Sequence, residues 1–136
     1  MSLQLKDRPS SNAPSHIGPF VDWTQSATAL ANLITFLGDE ASEQNPPARI
    51  RINGTVLQVT AARAGGLSSV YPPGTIIRCD TEVWVQAGTG HVVLEQLIDA
   101  SESPTEAADY CQSQNVGVGD RFDLIRPWHE AATRAA

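Results

Sequence analysis

The sequence predicts a mainly β chain with two short helices, arranged as a small β-barrel. Three observations predict it. Short runs of alternating apolar and polar residues recur between Arg49 and Leu97. Glycine turns punctuate them at Asn53-Gly54, Pro73-Gly74 and Gly88-Thr89-Gly90. Strong helix signals occur in only two places, after Asp22 and after Ser103. Short strands at this spacing suit a closed or nearly closed barrel better than a layered α/β sheet. A length of 136 residues, 41% of them hydrophobic, leaves room for one domain with a modest core.

The elements follow in order. Residues 1–19 carry Pro9, Pro14, Gly18 and Pro19 among serines and read as a linker or flexible arm. The domain proper is expected over 20–125, with a C-terminal tail over 126–136. A first helix is expected over 22–37. Asp22 or Thr24 can cap it, and Gln25 completes a capping box with Asp22. Leu30, Leu33, Ile34 and Leu37 form one apolar stripe, and Gly38 suits a left-handed stop. A polar loop follows to residue 48. Asn53-Gly54 predicts a two-residue hairpin turn, because both positions tolerate positive φ. That turn sets Ile52 opposite Thr55 and Ile50 opposite Leu57. Ile50, Ile52, Leu57 and Val59 then line the inside, while Arg49, Arg51, Gln58 and Thr60 face out. Residues 64–73 are a Gly- and Pro-rich loop. Strands are expected over 74–79, 83–87 and 91–97. Ser103-Pro104-Thr105-Glu106 reads as a helix start, with serine as cap and proline at the first helical position. That helix runs to about Gln112 and buries Ala107, Tyr110 and Cys111. Gly117 to Phe122 give a turn and a last short strand.

Charge narrows the function classes. The net charge is −6, with Lys6 the only lysine beside eight arginines. A domain that grips nucleic acid alone is usually basic, because phosphate neutralisation supplies most of its affinity. No apolar run is long enough to cross a bilayer as a helix. The polar N-terminus lacks a signal-peptide core, so a cytoplasmic location is expected. Cys79 and Cys111 lack metal-ligand spacing and read as two buried thiols rather than a disulfide.

Catalytic signals are sparse. His16, His91 and His129 have no metal-site spacing. His91 alternates with Val92 and Leu94, so it is expected at solvent or at a barrel mouth. No serine sits in a nucleophile elbow, and Gly88-Thr89-Gly90 lies between strands, where a phosphate loop would not. The scattered carboxylates form no acid–base couple. No catalytic, cofactor-binding or metal-binding residue is assigned. Arg49, Arg51 and Arg63 are the candidates for contact with a polyanion or substrate. The competing reading makes them exposed arginines that keep an edge strand soluble. Trp23 is expected to dock the first helix on the barrel, and Trp84 to lie half-exposed on a strand.

Taken in order, five segments resemble the C-terminal domain of methionyl-tRNA formyltransferases and their relatives. They are Val21-Asp22-Trp23-Thr24-Gln25 before a helix, the hairpin from Ala48 to Leu57, Pro73-Gly74-Thr75 before a strand, the strand–Gly-x-Gly–strand unit from Val83 to Leu97, and a short helix followed by Gly119-Asp120. The resemblance covers roughly residues 18 to 123. It implies an oligonucleotide-binding-type (OB-fold-like) barrel that serves an N-terminal catalytic domain. It also implies a 10-formyltetrahydrofolate donor held by that other domain, and tRNA or another amine-bearing molecule as formyl acceptor. The chain departs from the tRNA enzymes in its longer, tryptophan-free 38–47 segment and its Gly-Ser-rich 61–73 segment. The alternative is a stand-alone binding or oligomerisation module that shares the barrel, because fold alone does not fix function.

Overall fold

A computed structural model describes residues 19–41 and 46–124. The expected arm up to residue 18, residues 42–45 of the polar loop, and the tail from 125 with Trp128 and His129 lie outside the described residues, as does His16. The described chain is mainly β: α1 (Ala27–Asp39), β1 (Ala48–Ile52), β2 (Thr55–Gly65), β3 (Ile76–Cys79), β4 (Val83–Gln86), β5 (His91–Ile98), β6 (Pro104–Glu106) and α2 (Ala107–Ser113).

All named pairings are antiparallel, and the sheet order is β1-β2-β5-β4-β3. The β1–β2 hairpin adopts the expected register, Ile50 against Leu57 and Ile52 against Thr55. Asn53 and Gly54 both take positive φ, 52° and 81°, as a two-residue turn of this kind requires. β2 runs on to Gly65, six residues past Val59 and into the segment expected as loop. Register shifts between Val59 and Ala62 bend it, so that one strand serves both β1 and β5. β5 is central. One of its edges pairs with β2, and the other is shared in tandem by β4 over 91–94 and β6 over 96–98.

The sheet is not closed, because β1 and β3 do not pair. A strap of residues 119–123 spans the gap. On the β3 side, Gly119 N donates to Ile76 O at 2.9 Å, and Phe122 N donates to Gly74 O at 2.8 Å. On the β1 side, Asp123 N donates to Arg51 O at 2.8 Å. The expected final strand is therefore one isolated bridge, Thr75 with Arg121, and its work is to cover two open edges. Residues 19–21 cover the rest of the β1 edge through Val21 N to Arg49 O and Arg49 N to Pro19 O.

The interior holds the predicted hairpin residues Ile50, Ile52, Leu57 and Val59 together with Ile76, Val83, Val85, Leu94 and Leu97. α1 seals one side, lying on β2 with Leu30 and Ile34 fully buried. Trp23 is fully buried and stacks on Phe122, ring centroids 5.4 Å apart. It thus joins the start of the domain to the strap.

Three local expectations are corrected. Helix α1 begins later than expected, and its cap is Ser26, whose side chain accepts from Ala29 N. The Asp22 carboxylate instead accepts from the amide and hydroxyl of Thr24, folding the preceding turn. Gly38 is a helix residue rather than a left-handed stop; a Cβ there would lie 2.1 Å from the Thr60 carbonyl oxygen. Its glycine is needed for close helix–strand approach. Finally, Pro104-Thr105-Glu106 is strand β6, and α2 starts only at Ala107 with no side-chain cap. The free edge of β5 offers ladder partners there, which the local capping pattern loses to.

Candidate functional site

The three candidate arginines lie on the outer side of the sheet but do not form one strip. Arg49 and Arg51 share a face of β1, as alternation dictates. Arg63 sits five residues along β2 from Gln58, the partner of Arg49. At about 3.3 Å per residue that is roughly 16 Å, beyond the ~8 Å over which exposed charges act together in physiological salt.

Each arginine is engaged differently. The Arg49 guanidinium lies 3.9 Å from the centroid of the Phe20 ring, a cation–π contact. It also borders an open cleft of about 390 Å³ with Gln58, Ile98, Asp99 and Glu102. Arg51 Nε donates to Asp123 Oδ2 at 2.5 Å, so its charge holds the strap. Arg63 bridges two carboxylates, Glu82 and Glu95, the latter at 3.2 Å. A polyanion would have to compete with these carboxylates for Arg51 and Arg63.

The Arg63 end of the sheet carries the denser polar construction. The Trp84 ring has Arg78 4.8 Å from its centroid and His91 stacked at 4.2 Å. Trp84 Nε1 donates to Glu82 Oε1 at 2.9 Å. Arg78 Nε donates to both oxygens of Asp80, at 2.8 and 3.0 Å. The Trp84 hydrogen bond, with Arg63 and Arg78 nearby, lowers the Glu82 carboxyl below its ordinary range. The Glu82 amide and Arg78 do the same for Asp80. Arg63, Glu82, Glu95 and Glu106 border a second cleft of about 210 Å³, acidic on balance.

His91 is buried, which corrects the expectation of a solvent-facing ring. It does point away from Val92 and Leu94, but the loop after β2 lies over it. Leu67 N donates to His91 Nδ1 at 3.0 Å, and a Cβ on Gly65 would collide with the ring. Burial lowers its pKa, so the neutral ring is the form that accepts from Leu67. Gln86 completes the anchor. Its Oε1 accepts from Ser69 N and Oγ, and its Nε2 donates to the carbonyls of Ala87 and Gly90. Gln86 is satisfied at both ends of its amide, and His91 is held through Nδ1, so both side chains serve the structure. Trp84 lies half-buried, as expected, and His91 and Arg78 pack against its ring. Base stacking wants a clear aromatic surface, which Trp84 does not offer. Among the described residues, no cluster of three or more His, Cys, Asp or Glu could hold a metal ion. None of the described helices is long and apolar enough to cross a membrane.

Sequence reasoning did not single out Phe20, Arg78 or Glu82. Arg78-Cys79-Asp80-Thr81-Glu82 does alternate charge around a turn, a signal that points to a paired surface cluster. The Phe20–Arg49 contact is non-local and leaves no such trace.

The chain matches the family described as formyl transferase, C-terminal domain, over residues 18–115. It is similar to a methionyl-tRNA formyltransferase of Paraburkholderia phymatum, 28% identical over 108 residues, covering 79% of this chain and 32% of the relative. It is also similar to a methionyl-tRNA formyltransferase of Roseiflexus castenholzii, 29% identical over 103 residues, covering 75% of this chain and 31% of the relative. The chain thus spans about a third of the length of the curated relatives it matches.

Proposed function

From the premise that this chain belongs to the formyl transferase C-terminal domain family, we propose that residues 20–125 are the non-catalytic domain of a cytoplasmic formyltransferase-type enzyme. The domain positions the formyl acceptor, tRNA or another amine-bearing molecule, or packs against the catalytic domain. The family match over residues 18–115 carries this reading. The 10-formyltetrahydrofolate donor belongs to the catalytic domain, and no residue of this chain is assigned to it. The chemistry of the described residues suits support: paired arginines, satisfied polar side chains and shallow open clefts.

Within this reading, the outer face favours an acceptor that is not a polyanion. Arg51, Arg63 and Arg78 are each paired with carboxylates, and the chain carries −6.

A domain exchange tests the function. This chain replaces the C-terminal third of the Roseiflexus relative, and formyl transfer is compared with the truncated catalytic portion. The expected result is a chimera more active than the truncation, with this chain inactive alone. Transfer by this chain unaided, or a chimera no better than the truncation, overturns the reading. Retention on immobilised tRNA at low and high salt then separates the acceptors.

A further inference from the structure

The fold brings the two cysteines together although 31 residues separate them in sequence. Cys79 ends β3, and Cys111 lies on the buried side of α2. Val116 links them: its amide donates to the Cys111 carbonyl at 2.8 Å, and its carbonyl accepts from the Cys79 thiol at 3.5 Å. The Cys111 thiol lies near enough to Cys79 for its ionisation to respond to it, and both cysteines are free. Their access differs. Cys111 is 2% exposed. Cys79 is half-buried and borders an open cleft of about 390 Å³ with Asp80, Thr81, Ala108, Gln112 and Val116.

We propose that Cys79 and Cys111 form a thiol–disulfide exchange site, reached through this cleft by a small disulfide such as oxidised glutathione. The Cys79 thiolate attacks one sulfur of the small disulfide. A mixed disulfide forms at Cys79, and the first small thiolate leaves and takes a proton from water. Cys111 then gives up its proton to water and attacks the Cys79 sulfur, expelling the second small thiolate, which is protonated in turn. Two protein thiols are oxidised, and one small disulfide is reduced to two thiols.

The two steps differ in rate for a structural reason. Burial, and then the neighbouring Cys79 thiol, push the Cys111 thiol up to about 12. The other titratable groups acting on it or responding to it are Asp120 on the strap and Tyr110 on α2. Only the thiolate attacks, so closure is the slow step. Once formed, the bond fastens α2 to β3, beside the point where Ile76 N donates to Asp120 O at 2.8 Å.

The test uses the 136-residue chain, incubated folded with oxidised glutathione, quenched by alkylation and mapped by peptide mass. The expected sequence is glutathione at Cys79 first, then a dithiothreitol-reversible cross-link between the Cys79 and Cys111 peptides, lighter than the dithiol by two hydrogens. Closure accelerates roughly tenfold per pH unit on the alkaline side of neutrality. Cys111→Ala stops at the Cys79 adduct, and Cys79→Ala leaves Cys111 unmodified. A first adduct at Cys111, or a Cys79 adduct that never closes at alkaline pH in the wild-type chain, overturns the proposal. The wild-type map decides this without either variant.

Discussion

The two faces of β1 make a useful contrast. Ala48, Ile50 and Ile52 point inward and are fully buried among apolar side chains. Arg49 and Arg51 point outward, one over Phe20 and the other paired with Asp123. Both faces are fully engaged, but the energies differ in kind. Inside, removing atoms leaves a void that the structure fills only in part. Outside, water replaces what a lost charge pair supplied. The fold therefore rests on the inner face, and the outer face is open to variation in what it binds.

The largest break comes from the interior. Trp23→Ala removes the fully buried ring that stacks on Phe122. It should cost about 3–5 kcal/mol, read as a fall in the urea midpoint at unchanged slope. Next comes Gly38→Ala. In a helix interior this change is ordinarily stabilising by about 0.5–1 kcal/mol. Here the new methyl meets the Thr60 carbonyl, so the sign reverses and the cost should be about 1–3 kcal/mol. A stabilised Gly38→Ala variant would show that α1 stands further from β2 than described.

His91 sharpens the contrast, being a polar group on the outer face that behaves like core. Its pKa is lowered from 6.5 by burial. Between the lowered folded value and 6.5 the unfolded chain binds more protons, so stability falls as pH drops. The contribution is fully present above about pH 6.5 and is lost as pH falls through the folded value. Urea midpoints across that window should decline on acidification, and His91→Gln should flatten the decline. An identical slope in the variant assigns the acid sensitivity to other groups. The smallest effect is expected from Arg51→Ala, at most about 1 kcal/mol, even though it frees the strap from one ion pair. A larger loss in the thermal midpoint would mean that the outer face carries more of the fold than its exposure allows.

What the sequence reveals divides along the line between local and distant causes. The hairpin at Asn53-Gly54 is legible to the residue pair, because turn chemistry and alternation are both local. The inward set Ile50, Ile52, Leu57 and Val59 follows from the same register. Mainly β architecture with two helices is equally legible. Strand β6 is hidden, because Ser103 to Glu106 carry a helix-start pattern and only the edge of β5 overrides it. The burial of His91 is hidden too, since alternation gives the face but not the loop that comes to lie on it. The candidate arginines show the same limit. Arg49 and Arg51 share a face as alternation says, but the bulged length of β2 carries Arg63 away from them. Neither the partner carboxylates nor the meeting of Cys79 with Cys111 can be read from spacing.

The strap has a bearing on biosynthesis. Residues 119–123 follow every described strand and both described helices in chain order. During translation, the ribosome must release them before the seam between β1 and β3 can be bridged and before Trp23 meets Phe122. A nascent chain halted ahead of residue 119 would hold all six described strands yet leave the Thr75–Ile76 border of β3 and the Arg51 carbonyl without the contacts that cover the two open edges.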